Sequence, residues 1–138
     1  MRNYIIVSHR SFATGLKSSL DFFSNMKDQI VAVPAYTNGE NSFPEEMVAN
    51  LVRKFEATGN QIVILTDMLG GSVNQHVIKY MNQGILVVTG VNLPLALALV
   101  LSPGQVLTSD KVETLIDEAK SQMVLMNTYQ DDSLSDDE

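Results

Sequence analysis

Two histidines supply the only imidazoles of this 138-residue chain, and cysteine is absent. His9 closes the run "NYIIVSH", where apolar residues stop and a polar stretch begins. An unperturbed imidazole has a pKa near ~6.5, so at neutral pH much of it is a free base and a nucleophile. A carboxylate that accepts the proton of one ring nitrogen fixes the tautomer and leaves the other lone pair outward. Asp67, at the end of "QIVILTD", is placed to be that acid. "MLGGSVNQ" follows directly, with Gly70 and Gly71 freeing the backbone and Ser72 at the start of a helical stretch. Exposed amide N–H groups at such a start favour an anion. A histidine, an orienting acid and an anion cradle are together the parts of a phosphohistidine carrier. Each part alone has a plainer reading. A histidine at a strand end is often structural, and a glycine pair often makes only a tight turn.

Other chemistries fit less well. The glycine loop lacks both the G-x-x-x-x-G-K-[ST] spacing of a nucleotide-hydrolysing loop and its lysine, and it is not a dinucleotide fingerprint. The absence of cysteine excludes disulfides, thiolate metal sites and cysteine nucleophiles. His76 lies inside the third helical stretch and reads as a surface or half-buried helical histidine. A site built from His9, His76 and Asp67 has no metal-ligand spacing, so neither metal nor cofactor is expected.

These residues need a frame that brings them together. Apolar runs of strand length alternate with amphipathic stretches. The strands are "NYIIV", "QIVAVPAY", "QIVILTD" and "ILVVTG", with "QMVLMN" as a short fifth. Phe12, Leu16, Leu20 and Phe23 recur at helical spacing between the first two. A second helix follows Pro44, with Ser42 as a candidate cap and Glu45 three residues later. A third helical stretch runs from Gly70 to Gly84, a fourth lies in "NLPLALALVL", and a last one is capped by Ser109. Continuous apolar strands alternating with helices mean a mainly parallel central sheet in a three-layer α/β/α fold. Ligands in such sheets bind beyond the carboxyl ends of the strands, near the point where strand order reverses. In the order 2-1-3-4, strands one and three are neighbours, and His9 and Asp67 face each other there. Tyr36 to Glu40 and Thr89-Gly90 share the same rim.

The composition, 45% hydrophobic and 18% charged, is that of a globular domain. The formal charge is −7, but "DDSLSDDE" carries five of the sixteen acids and no base. Without it, nine bases stand against eleven acids. Residues 1–128 therefore read as one domain and 129–138 as an acidic, disordered tail. No basic stripe suits nucleic acid. The start shows no signal peptide, and the longest apolar stretch, residues 85–101, is interrupted by Gly90, Asn92 and Pro94. It falls short of the roughly 20 residues of a membrane span.

The motifs "IIVSH", "VAVPAYTNGENSFPEE", "VILTDMLGGSVNQ" and "VVTGVNLPLALAL", in that order, resemble the IIA component of the mannose-family sugar phosphotransferase system (PTS). The resemblance spans residues 3–127. It implies a cytoplasmic phosphoryl carrier, peripherally associated with a membrane permease complex. Phosphoenolpyruvate charges enzyme I, then HPr, then IIA, then IIB, and finally a sugar entering through the membrane subunits IIC and IID. Position by position it implies His9 as phosphoryl acceptor, Asp67 as its orienting acid, and Gly70, Gly71 and Ser72 as support for the phosphoryl group. It also implies a homodimer that exchanges its last, antiparallel strand, here "QMVLMN". Arg10 departs from the family, which often has glycine after the active histidine. With Phe12, Met68 and Leu69 it is expected to form a docking patch for protein partners. Two other readings stay open: a flavodoxin-like module binding a phosphorylated small molecule, and a regulatory phosphoprotein of the same fold.

Overall fold

Four runs rich in valine, isoleucine and leucine form one parallel sheet in the computed structural model, which describes residues 1–129. Strands β1 (Arg2–His9), β2 (Ile30–Ala35), β3 (Gln61–Thr66) and β4 (Ile85–Val88) lie in the order β2-β1-β3-β4. The helices are α1 (Phe12–Phe23), α2 (Glu45–Ala57), α3 (Ser72–Val77), α4 (Leu93–Val100) and α5 (Ser109–Lys120). Short 3-10 turns occupy Lys27–Gln29 and Ile78–Tyr80.

The strands are apolar between their polar ends because both faces of the sheet are covered. Side chains alternate along a strand, so β1 divides its apolar residues between two cores. Tyr4 and Ile6 join Leu16, Leu20, Leu65 and Leu99 beneath α1, α4 and α5. Ile5 and Val7 join Val33, Val48, Phe55 and Ile64 beneath α2 and α3. The three-layer arrangement and strand order expected from the sequence are both present.

Register decides what stands at the rim. β3 ends at Thr66, opposite Val7, whereas β1 continues through Ser8 to His9. On its other side β1 stays paired to β2 up to His9 opposite Ala35. His9 is therefore held by β2 while the chain after β3 is free to fold across it. Ser8 is fully buried and anchors the following turn. Its hydroxyl accepts from the Ala13 N–H at 2.7 Å and donates to the Arg10 carbonyl at 3.0 Å. That contact satisfies one of the amides left open at the start of α1.

The opposite end of the sheet is closed by Arg2, which is 4% exposed. Its guanidinium donates to the Tyr4 hydroxyl at 2.7 Å and to the carbonyls of Leu99, Ser102 and Gly104. Leu99 and Ser102 flank the end of α4, where a cation complements the helix dipole. Burial pushes the Tyr4 hydroxyl pKa up, and the neighbouring guanidinium pulls against that shift.

Three local expectations are corrected. Ser42 does not cap α2; Pro44 holds the N-cap position, with no side-chain cap bond. Proline fixes φ and ends the preceding turn without one. The third helix does not run from Gly70 to Gly84. It stops at Val77 and tightens into the 3-10 turn Ile78–Tyr80 before β4. Thr108, not Ser109, caps α5, accepting from the Lys111 N–H at 3.2 Å. Residues 122–127 form no strand within the single chain; they follow α5 as turns and exposed coil. A strand needs a neighbour for its ladder, and within the single chain this segment lies against no strand. Of the acidic tail expected over 129–138, residues 130–138 lie outside the described residues.

Candidate active site at the carboxyl rim of the sheet

His9 stands at the end of β1 with its side chain 36% exposed. One carboxylate oxygen holds it twice. Asp67 Oδ2 accepts from the His9 backbone N–H at 2.8 Å and lies 2.9 Å from ring Nδ1. An ionised carboxylate only accepts, so Nδ1 carries the proton in the neutral ring and Nε2 presents its lone pair. The second oxygen, Oδ1, is buried without a hydrogen-bond partner among the described residues. Oδ2 therefore carries the polar anchoring of this acid, and it spends that capacity on His9 alone.

Nε2 faces Ser72 at the start of α3, with Oγ 3.3 Å away. Ser72 Oγ is in turn 3.0 Å from the Tyr36 hydroxyl. The Tyr36 ring lies beside the imidazole, with centroids 5.7 Å apart and planes tilted by 35°. Three side chains, from the ends of β2 and β3 and the start of α3, thus converge on the imidazole at the end of β1.

The glycine turn makes room for that convergence. Gly70 has φ +77°, the left-handed region that glycine occupies without a Cβ penalty. Gly71 has ordinary dihedrals and is required for a different reason. A Cβ there would lie 3.1 Å from His9 Cε1 and 3.1 Å from Met68 Cγ. Met68 can move aside, but the imidazole is pinned by Asp67. Gly71→Ala is therefore expected to fold and to displace the imidazole by a few tenths of an ångström. Where a misplacement of ~1 Å costs ~10²-fold, this smaller one should slow chemistry at Nε2 by about three- to tenfold. A crystal structure of the variant with rates at fixed substrate checks both halves.

Thr66 braces the turn from below. Its buried hydroxyl meets the Thr89 hydroxyl and lies 3.2 Å from Asn74 Oδ1, tying the ends of β3 and β4 to α3. The Thr66 carbonyl accepts from the Val91 N–H at 3.0 Å.

Of the residues singled out in the sequence, His9, Asp67, Gly70, Gly71 and Ser72 come together. Phe12, Met68 and Leu69 are exposed by 43%, 54% and 77%, so none of them tucks into the core. Arg10 has φ +53°, unusual for a residue with a side chain. Its guanidinium donates to the Tyr36 carbonyl at 3.2 Å, on the surface. His76 belongs elsewhere. It stacks on Phe43 at 4.4 Å and bonds Glu45 at the start of α2. The Lys79 ammonium bonds the same carboxyl at 2.9 Å and, with smaller help from His76, holds it below the usual carboxylate range. Among the described residues no cluster of three or more His, Cys, Asp or Glu could hold a metal ion.

Tyr36 is the site member whose role sequence reasoning missed. It was legible only as part of the rim after β2. The signal lay in the register, since strand order 2-1-3-4 sets the residue after Ala35 beside His9.

Known proteins bear on this geometry. A family model described as "PTS system fructose IIA component" (EIIA-man) matches residues 3–116. A crystal structure from Klebsiella pneumoniae, assigned to a phosphoenolpyruvate-dependent sugar PTS permease, is 29% identical. It superposes with a TM-score of 0.80 over 92% of each chain. The PTS component EIIA from Streptococcus agalactiae is 25% identical, with a TM-score of 0.72 over 94% of this chain and 100% of that one. The mannose/sorbose-specific IIA subunit from Enterococcus faecalis shares the fold at 22% identity. Its TM-score is 0.69 over 94% of this chain and 97% of that one. A comparison with curated proteins returned no match. A family match across most of the chain, on a fold whose strand ends gather one histidine, one acid and a glycine turn, places it: the chain belongs to the EIIA-man family and is a component of a sugar phosphotransferase system.

Proposed function

We propose that the chain carries a phosphoryl group on His9 Nε2, taking it from phospho-HPr and passing it to a IIB component during carbohydrate uptake. The observation that carries this reading is the double grip of Asp67 Oδ2 on His9, through the backbone N–H and Nδ1. It leaves Nε2 unprotonated, with its lone pair as the nucleophile.

The Nε2 lone pair attacks the phosphorus of the donor phosphohistidine. A new N–P bond forms as the donor's N–P bond breaks, and the donor ring nitrogen keeps the bonding pair. The Nδ1 proton stays in place. The positive charge that His9 then carries lies against the Asp67 carboxylate, 2.9 Å away. Such transfer is mainly positioning and charge stabilisation. Ser72 and the first-turn amides of α3, which lack intrahelical acceptors, face the incoming phosphoryl oxygens. The onward step to IIB is the same exchange in reverse. HPr and IIB use one patch in turn, formed by Arg10, Phe12, Met68 and Leu69 around the histidine. Contact with the membrane subunits IIC and IID is indirect, which makes the carrier a cytoplasmic protein peripheral to the permease.

The test is phosphorylation with phosphoenolpyruvate, enzyme I and HPr, read by intact mass. An acid-labile, base-stable phosphoryl group on the protein is the expected result. No label, with competent HPr from the same source, would sink the carrier reading. It would leave a module that binds a phosphorylated small molecule at the glycine turn. A label that no IIB accepts would favour a regulatory phosphoprotein instead.

The working unit is a homodimer that exchanges residues 122–127. Two features support this. Met123, Val124, Leu125 and Met126 are exposed apolar side chains in sequence, and β4 is an edge strand of the sheet among the described residues. A groove of about 350 Å³ runs along that edge, lined by Met81, Ile85, Leu86, Val88, Val112 and Ile116. Removing residues 122–138 should therefore halve the mass seen by sedimentation equilibrium. A monomeric parent chain would refute the exchange.

A further inference from the structure

Resting on the carrier reading above, we infer that the Tyr36 hydroxyl is a positioning residue for phosphoryl transfer, setting the direction of the Ser72 proton toward the reacting nitrogen.

The directions of three hydrogen bonds follow from one carboxylate. Asp67 Oδ2 accepts from Nδ1, so Nε2 has no proton and only accepts. Ser72 must then donate its one proton across the 3.3 Å to Nε2. With that proton committed, Ser72 Oγ can only accept from Tyr36 across 3.0 Å. The chain runs one way: Tyr36 O–H to Ser72 O–H to His9 Nε2. A free serine hydroxyl rotates among several acceptors. A phenol donating to Oγ removes the competing orientations and polarises the remaining O–H bond. When Nε2 takes phosphorus its lone pair is consumed. The Ser72 proton is then aimed at the space that the phosphoryl oxygens fill.

The backbone adds a second, independent observation. Tyr36 has φ +59° and Arg10 has φ +53°, and both are residues that rarely enter that region. They are tied to each other. The Arg10 N–H donates to the Ala35 carbonyl at 2.7 Å, and the Arg10 guanidinium donates to the Tyr36 carbonyl at 3.2 Å. Strain of this kind persists only where surrounding contacts over-determine it, and it clusters at functional sites. Here it turns the phenol back over the rim, beside the imidazole, instead of out into the loop that follows. Arg10 thus acts through the Tyr36 backbone.

The experiment compares wild type, Tyr36→Phe, Ser72→Ala and the double variant. Phenylalanine keeps the ring beside His9 and removes only the hydroxyl. One lost hydrogen bond corresponds to about a three- to tenfold slower uptake from phospho-HPr in Tyr36→Phe. Because Tyr36 acts through Ser72, the double variant should be no slower than Ser72→Ala alone. In the unphosphorylated protein, the ¹⁵N resonance of His9 Nε2 should move in Tyr36→Phe and should not move further when Ser72 is already alanine. An unmoved Nε2 resonance, or losses that multiply in the double variant, overturns the inference. If wild type takes no label, the carrier reading fails, and the Nε2 resonance alone still decides the role of Tyr36.

Discussion

Replacing His9 with alanine should abolish phosphoryl uptake altogether while leaving the chain folded. The loss is complete because nothing substitutes for the ring. The other histidine, His76, is engaged by Phe43 and Glu45 at the α2–α3 contact, away from the glycine turn. Chemistry needs a nucleophile within about 3–3.5 Å of the reacting atom, and of the two histidines only His9 meets Ser72 at the rim. The fold tolerates the change because the side chain is partly exposed and β1 keeps its pairing to β2 up to this residue. The Asp67 carboxylate retains the residue-9 backbone N–H, so the cost in stability should be roughly 1 kcal/mol, that of one hydrogen bond. Intact mass reads the label, and a thermal melt reads the fold. A label that survives in His9→Ala would place the phosphoryl group elsewhere and end the present mechanism.

Asp67→Asn is the second large effect and the more diagnostic one, since it keeps size and shape. A carboxylate oxygen can accept from both the backbone N–H and Nδ1. An asparagine can do so only with its carbonyl turned toward His9. That orientation buries its NH₂ where Asp67 Oδ1 now sits without a partner. A buried unpaired donor costs about 1–3 kcal/mol. The other orientation points NH₂ at Nδ1 and forces the ring into the opposite tautomer, with the proton on Nε2. Either way the phosphorylated ring loses the negative charge that now lies 2.9 Å away. Uptake should fall by about 10³- to 10⁴-fold, the scale reached where an Asp-to-Asn change sets a catalytic imidazole in the wrong tautomer. Stopped-flow rates with phospho-HPr check the magnitude, and ¹⁵N shifts of the ring check the tautomer. A rate within tenfold of wild type would show that Asp67 is only a backbone anchor.

The glycine turn is a milder case of the same logic. Gly71→Ala changes no donor or acceptor and alters only where the ring can sit. Comparing its rate with that of Asp67→Asn therefore separates placement of His9 from its electronic state.

Much of this was legible in the residues. β1 and β3 are unbroken apolar runs, which a parallel sheet covered on both faces requires, and their polar ends mark the rim. Given the order 2-1-3-4, His9 and Asp67 must be neighbours. The pairing of an imidazole with an acid beside a glycine turn needs no distances to be recognised. These features are local in composition or follow from topology, so periodicity and chemistry report them.

Other features are decided by contacts between residues far apart in the chain. α3 ends at Val77 because the chain must turn into β4, although its sequence continues with helix-compatible residues. Whether Thr108 or Ser109 caps α5 depends on one residue of phase, which both hydroxyls satisfy in sequence. Residues 122–127 have strand composition but pair with no strand of the single chain. Gly71 looked like half of a flexible pair, yet its need is the imidazole 3.1 Å from where a Cβ would stand. Tyr36 entered the site through register, and Arg10 reached it through a strained backbone. Composition and spacing report what a residue can do. Only the packed structure decides which atoms share a space of a few ångströms, because that depends on strands meeting across more than fifty intervening residues.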